Sequence, residues 1–289
     1  MTTIDPGTPV RPAATFTIGG DLTVRRLGYG TMQLPGPGVW GPPRDRAAAL
    51  AVLRRAADSG VDLFDTADSY GPGVAEDLLR EALHPYDGIV VATKVGFTRP
   101  GPGRWVPDGR PEHLRAAVEG SLRRLGVERI DLLQLHRVDP RVPLADQIGA
   151  LAELRDAGEV RHLGLSEVTV GQFEAAAALT PIATVQNLYN LAERSAEPLL
   201  RHVAARGVGF IPWFPLATGR LADPDGPLAR LAASTGASPA QLALAWLLHR
   251  SPAVLPIPGT SSTDHLAQNL AADGLDLDPA VLDALDRLA

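Results

Sequence analysis

Asp65, Tyr70, Lys94 and His136 are four side chains whose types and spacing could do chemistry. Asp65 and Tyr70 share the stretch FDTADSYG (64–71), Lys94 lies in VVATKVG, and His136 ends IDLLQLH. A free phenol has a pKa of about 10, too high to deliver a proton quickly at neutral pH. An ammonium beside it lowers that pKa, and a carboxylate beside the ammonium holds it and balances its charge. An imidazole next to the phenol can donate to a carbonyl oxygen and orient it. Together the four groups would polarise a carbonyl and protonate it. They include neither a nucleophile nor a hydride source, so the chemistry needs a cofactor. Each residue also has a structural reading. Asp65 can be a turn acid, His136 a hydrogen-bonded core residue, and Lys94 half of a buried pair.

Elements that would bring the four together are legible in the chain. Thr15–Ile18, Gly19-Gly20-Asp21 and Thr23–Arg26 read as a hairpin. Eight short apolar runs follow as candidate strands: Leu27–Thr31, Val61–Asp65, Ile89–Thr93, Asp131–His136, His162–Ser166, Thr184–Gln186, Val208–Trp213 and Val254–Ile257. Helical stretches separate them at Asp45–Ser59, Val74–Leu83, Pro111–Leu125, Pro143–Ala157, Thr169–Leu179, Glu197–Arg206, Pro239–His249 and Thr263–Ala271. Alternating strand and helix means parallel strands with right-handed crossovers, and eight units in about 250 residues is the size of a (β/α)8 TIM barrel. In such a barrel Asp65, Lys94 and His136 stand at the ends of the second, third and fourth strands and converge on one mouth, with Tyr70 on the loop beyond Asp65. A doubly wound sheet is the competing architecture. Its glycine-rich phosphate loop has only one counterpart, GPGVWG at 36–41, and Pro37, Pro42 and Pro43 forbid the helix that motif must open. The expectation is one domain over 1–289, with residues 1–14 a flexible lead. Stretches 34–43, 99–111 and 222–227 read as Pro/Gly-rich mouth loops.

Composition narrows the function classes. The 289 residues are 45% hydrophobic, enough for a full core, and carry a net charge of −6, with no basic field for nucleic acid. Cysteine is absent, which removes disulfides, thiolate catalysis and cysteine metal sites and suits the cytoplasm. Met1–Arg11 has no apolar core of a signal peptide, and Leu242–Leu248, the longest apolar run, is too short to cross a bilayer. The seven histidines are scattered, which argues against a metal-dependent barrel hydrolase and predicts no metal site.

FDTADSYG, ATKVG, DLLQLH, GLSEV, VQNLYN and IPGTSSTDHLAQN, in that order, resemble the successive motifs of the aldo-keto reductases, over residues 16–288. The resemblance implies a barrel that reduces a small-molecule carbonyl with a nicotinamide hydride. Tyr70 would be the acid, Asp65 and Lys94 would tune it, and His136 would orient the substrate. It further implies that Gly30, Thr31, Met32 and Asp65 lie along the nicotinamide ribose, that Ser166 and Gln186 hold the carboxamide, and that Trp213 stacks on the ring. Leu216, Gly219 and Arg220 would cover the pyrophosphate. Thr260, Ser261, Ser262 and His265 would face a 2′-phosphate, with Gln268 and Asn269 near the adenine. Glu167 departs from the Ser-Asn pair of many relatives, and no Lys or Arg stands at 259, 261, 262 or 265. Hydroxyls and a helix N-terminus hold a phosphate more weakly than Arg, so NADPH stays the expected cofactor, with NADH as the alternative.

Residues 26–46, together with WFPL and IPGTSS, resemble the pyridoxal reductase branch. Trp40, Trp105 and Phe97 offer flat walls for a ring aldehyde, and Arg104, Arg137 and Asn187 offer polar contacts; Trp40, Trp105 and Arg137 are the expected substrate residues. Other readings are a biosynthetic ketone reductase and a nicotinamide-binding regulatory subunit with little turnover. The chain stops at Ala289, soon after the last expected helix, so the mouth is expected to be open. Neither oligomeric state nor the natural substrate follows from the sequence.

Overall fold

The computed structural model describes residues 14–288. The expected flexible lead thus lies, apart from Ala14, outside the described residues. Strands β1 (Thr15–Ile18) and β2 (Leu22–Arg25) form the antiparallel hairpin. The parallel strands are β3 (Tyr29–Gly30), β4 (Leu63–Asp65), β5 (Val90–Val95), β8 (Ile130–Leu135), β9 (Val160–Ser166), β10 (Ile182–Leu188) and β11 (Gly209–Trp213). They make one curled sheet in the order β11-β10-β9-β8-β5-β4-β3.

The eighth expected strand, Val254–Ile257, closes the barrel without a regular ladder. Phe210 N–H donates to the Ala253 carbonyl at 2.8 Å, Leu255 N–H to the Phe210 carbonyl at 2.8 Å, and Gly28 N–H to the Pro256 carbonyl at 2.9 Å. Pro256 and Pro258 have no amide hydrogen to donate, so a ladder cannot propagate through them. The fold is a (β/α)8 barrel with an N-terminal hairpin.

Helices α1 (Arg46–Asp58), α2 (Val74–Leu83), α3 (Pro111–Leu125), α4 (Leu144–Asp156), α5 (Val170–Ala177), α6 (Glu197–Ala204), α8 (Pro239–Arg250) and α9 (Thr263–Leu270) fall on the expected stretches. The caps were written locally. The α5 and α8 helices start on capping boxes, Thr169 with Gln172 and Ser238 with Gln241, satisfying amides that a helix start leaves open.

Inside the barrel, inward residues of several strands (Leu63, Ala92, Leu132, Ile211) meet Ile18, Leu22 and Val24 of the hairpin, which plugs the N-terminal end. Burying each Leu or Ile contributes roughly 1.5–3 kcal/mol. Arg26 ties the plug to the closing segment. It is fully buried, and its guanidinium donates to the carbonyls of Val254 (3.0 Å) and Leu248 (2.8 Å).

Three elements depart from the sequence reading. Residues 97–107, expected within a mouth loop, form a second hairpin, β6 (Phe97–Gly101) and β7 (Arg104–Pro107). The turn is Gly101-Pro102-Gly103, and Gly103 takes the left-handed φ of 67° that the tight reversal requires. Short helices α7 (Ala229–Thr235) and α10 (Pro279–Asp286) also form. The α10 start carried a local signal, Asp278 as cap and Pro279 at the first helical position. No helix among the described residues is long and apolar enough to cross a membrane.

Candidate active site

Sheet order makes the site. Strands β4, β5 and β8 are neighbours, with Asp65 aligned to Ala92 and Lys94 aligned to Gln134. Asp65 ends β4, Lys94 is the penultimate residue of β5, and His136 follows β8, so all three side chains reach the C-terminal mouth. Tyr70 enters from the β4–α2 loop.

Every hydrogen of the Lys94 ammonium has an acceptor. Nζ donates to Asp65 Oδ1 at 2.6 Å, to the Thr66 carbonyl at 2.8 Å and to Tyr70 Oη at 3.3 Å. The other Asp65 oxygen accepts from Gln134 Nε2 at 3.1 Å and Gln186 Nε2 at 2.9 Å. Both charges are buried. Such a pair persists because its remaining lone pairs and protons are also satisfied. Because Tyr70 Oη accepts from Lys94, its own hydrogen is left to donate elsewhere.

The expected lowering of the Tyr70 pKa is corrected by the structure. Burial pushes the phenol up, and the Lys94 charge only offsets part of that. Burial alone would pull Lys94 down, but the Asp65 carboxylate and Tyr70 outweigh it and hold the ammonium above its ordinary range. Burial, aided by the charges of Lys94, Arg137 and Arg99, pulls His136 well below the usual imidazole range. Near neutral pH the set is therefore a charged lysine, a protonated phenol and a neutral imidazole. His136 Nδ1 lies 3.3 Å from Ser69 Oγ. With the serine hydroxyl as donor, Nε2 carries the ring hydrogen and can donate to a carbonyl.

These groups open into a cavity of about 770 Å³. Of the expected residues, Gly30, Met32, Asp65, Tyr70, His136, Ser166, Gln186, Trp213, Leu216, Gly219, Thr260 and Ser261 line it, as do Trp105, Phe97 and Arg137. Others do not. Thr31 is buried behind the wall, its Oγ1 without a partner. Arg220 is exposed beyond the rim. Ser262 caps α9, accepting from the His265 amide at 3.3 Å, while the His265 and Gln268 side chains are exposed and Asn269 is buried. Trp40 stands behind the rim, 5.6 Å from Arg99. Asn187 holds the Val168 backbone instead of facing the mouth, donating to its carbonyl at 3.1 Å. Arg104 is exposed and contributes a carbonyl to Arg99.

Sequence reasoning missed two contributors, Gln134 and Arg99, and left the role of a third, Glu167, open. Gln134, two residues before His136, was within reach of strand alternation, since i and i+2 share a face. Arg99 carried no local signal. Its guanidinium lies 3.5 Å from the Trp105 ring and donates to the carbonyls of Ser69, Gly38 (2.9 Å) and Arg104 (2.9 Å), pinning the second hairpin to two loops. Glu167, at a left-handed φ of 55°, accepts from Trp213 Nε1 at 2.5 Å and from the Leu188 amide at 2.6 Å. It thereby sets the indole plane.

A nicotinamide cofactor fits this wall. Gly30 and Gly259 let backbone approach closely: a Cβ at Gly30 would meet the Ile257 carbonyl at 2.7 Å, and one at Gly259 would meet the Gly30 carbonyl at 2.6 Å. Trp213 presents a flat ring, Ser166 and Gln186 present polar groups beside it, and Gly219 leaves open space at its Cα. Among the described residues no group of three or more His, Asp or Glu side chains could hold a metal ion.

Comparison with known proteins agrees with this architecture. Pyridoxine 4-dehydrogenase of Escherichia coli is 45% identical over 282 residues, covering 95% of this chain and 98% of that protein. An uncharacterised oxidoreductase of Schizosaccharomyces pombe is 48% identical over 267 residues, covering 92% of this chain and 87% of that protein. Among solved structures, a glycerol dehydrogenase from Gluconobacter oxydans superposes with a TM-score of 0.87 at 28% identity, covering 95% of this chain and 94% of that one. An aldo/keto reductase from Klebsiella pneumoniae, solved with NADP and acetate, gives a TM-score of 0.80 at 32% identity, covering 96% and 95%. Residues 26–289 match the Aldo/keto reductase family, and the chain belongs to that family of oxidoreductases.

Proposed function

We propose that the protein reduces an aldehyde to the alcohol with NADPH, that Tyr70 supplies the proton, and that pyridoxal or another aromatic aldehyde is the substrate. One observation carries the reading: Lys94 donates to the Tyr70 oxygen and so leaves the phenol hydrogen to point at a carbonyl. Neutral His136 donates to the same carbonyl and holds it in register. Bound along Trp213, Ser166 and Gln186, a reduced nicotinamide supplies the hydride. As negative charge develops on the substrate oxygen, Tyr70 releases its proton to it, and the adjacent Lys94 charge stabilises the phenolate that remains. Burial that raises the phenol pKa keeps the acid loaded, and an alkoxide is a stronger base still. The rings of Phe97 and Trp105, packed edge to face with centroids 5.5 Å apart, form an apolar wall for a flat ring to lie against. The similarity to a pyridoxine 4-dehydrogenase and to an enzyme solved with NADP supports both the substrate and the cofactor.

The test is NADPH oxidation followed by absorbance, with pyridoxal and then a panel of aromatic and aliphatic aldehydes. Turnover of pyridoxal well above the panel supports the full reading. Turnover of the panel with pyridoxal slow moves the substrate elsewhere. Tight NADPH binding with no turnover of any aldehyde overturns the enzyme reading in favour of a nicotinamide-binding regulatory subunit.

A further inference from the structure

Arg137 differs from the other cations around the site. Lys94 is matched by Asp65. Arg99 spends its donors on three backbone carbonyls. Arg137, half-buried on the cavity wall, uses only Nη1, which donates to the His136 carbonyl at 2.6 Å and to Ser166 Oγ at 3.1 Å. Its Nε and Nη2 have no hydrogen-bond partner among the described residues, and no carboxylate lies within 4.0 Å of the guanidinium. Neither nitrogen is fully buried, so each keeps some access to solvent. The guanidinium is held between the Phe97 ring at 5.8 Å and the Trp213 ring at 5.7 Å, which fixes its direction.

The charge inventory of the cavity is then lopsided. Asp65 is the only acidic side chain on its lining and both its oxygens are taken. Glu167, the nearest other acid, has one oxygen engaged by Trp213 and Leu188. Arg137 remains as the one lining cation with donors to spare. Burial also works against its charge, so an anion placed there would be welcomed by a partly desolvated guanidinium.

Resting on the aldehyde-reductase reading, we infer that Arg137 forms an anion subsite, and that the preferred substrates are aromatic aldehydes carrying an anionic oxygen, carboxylate or phenolate, on the ring. The ring lies against the wall formed by Phe97 and Trp105, Tyr70 and His136 take the carbonyl, and the free Nε–H and Nη2–H groups of Arg137 take the anion.

Two substrate pairs separate the sources of the charge. For carboxylate, kcat/KM is measured for 4-carboxybenzaldehyde and for its methyl ester. For phenolate, pyridoxal is compared with its 3-O-methyl ether. At least one anion-to-neutral ratio should be about 10–100 in the wild type, the worth of a charge-assisted hydrogen bond, and fall to near one in Arg137→Met. Arg137→Lys, which keeps the charge, should retain part of the ratio, and circular dichroism checks that both variants fold. Ratios near one in the wild type, or a ratio that survives Arg137→Met, overturn the subsite. Loss of NADPH affinity in Arg137→Met with the ratio intact would reassign the residue to the cofactor. A binding measurement needs no turnover: titration calorimetry with benzoate and benzamide should show benzoate at least tenfold tighter in the wild type and not in Arg137→Met. If no aldehyde is reduced but that difference holds, the reductase reading fails and the subsite stands.

Discussion

The two sides of the cavity are built differently. On the β4–β5–β8 side the ionised atoms of Asp65 and Lys94 are all partnered, and the strands carry no left-handed non-glycine residue. On the β9–β11 side, Glu167, Phe214 and Ala217 sit at φ of 55°, 53° and 47°. Each such residue costs on the order of 1 kcal/mol unless its surroundings over-determine it. Hydrogen-bonding capacity is left there too: Thr184 Oγ1 on β10 is buried without a partner, and Arg137, leaving the end of β8, reaches across to Ser166 at the end of β9 with donors free. The Asp65–Lys94 pair and the Tyr70 phenol thus stand in a charge-balanced corner, while the left-handed residues collect on the far side of the cavity. Strain of that kind is a cost that a bound molecule can help repay through contacts to the distorted loop.

The contrast can be broken first at its rigid side. Lys94→Met leaves Asp65 buried without its cation, so unfolding by denaturant should show a loss of about 3–5 kcal/mol together with loss of reduction. Near wild-type stability would mean that the corner is not held by this pair. Tyr70→Phe removes only the hydroxyl of the proposed acid. Its kcat should fall by about 10²–10⁴, while NADPH affinity, read by fluorescence titration, stays close to wild type. A large change in cofactor affinity would place Tyr70 on the binding side.

Arg99→Ala tests the wall. It deletes the guanidinium that pins the second hairpin to the 38 and 69 loops. The KM for aldehyde should rise about tenfold with a smaller change in kcat, because the aromatic wall is loosened and the proposed acid is untouched. Equal losses in both would join the wall to the chemistry.

Asp68 sharpens the comparison, since with Thr66 Oγ1 it is one of two unpartnered groups on the loop after β4. Its Oδ1 is buried without a partner, and burial, then the nearby Glu76 charge, pushes it up to about 8. The sign follows from linkage. The unfolded chain releases this proton at the ordinary carboxylate value of 3.8, and the folded chain holds it to about 8, so the folded state loses stability as pH rises across that window. Asp68→Asn should therefore stabilise by about 1–2 kcal/mol at pH 8 and by almost nothing at pH 4, measured as melting temperature against pH. A benefit independent of pH would show that the carboxyl ionises freely. The smallest expected effect is at the cofactor end. Ser261→Arg adds a cation to a lining position that has only a hydroxyl and should raise the NADPH-to-NADH preference by about fivefold.

Much of this architecture could be read from the chain because its causes are local. Strand alternation put Asp65, Lys94 and His136 at successive strand ends, and helix caps such as Thr169 and Ser238 announced themselves within a few residues. Missed elements also had local causes that went unread, as with Asp278-Pro279 before α10. Other features had no local cause. Nothing near Arg99 foretells that its donors end on Ser69 and Gly38, and nothing near Glu167 foretells that it orients Trp213.

Sequence alone therefore determined the order of strands and helices, the residues at the barrel mouth and the kind of chemistry they can do, because periodicity and capping act over a few residues. Only the tertiary structure decided which of those residues touch, that burial outweighs Lys94 at the Tyr70 phenol, and that Arg137 keeps donors free while Ser262 turns to cap a helix. Those outcomes depend on desolvation and on partners brought from dozens of residues away, and both exist only once the barrel has closed.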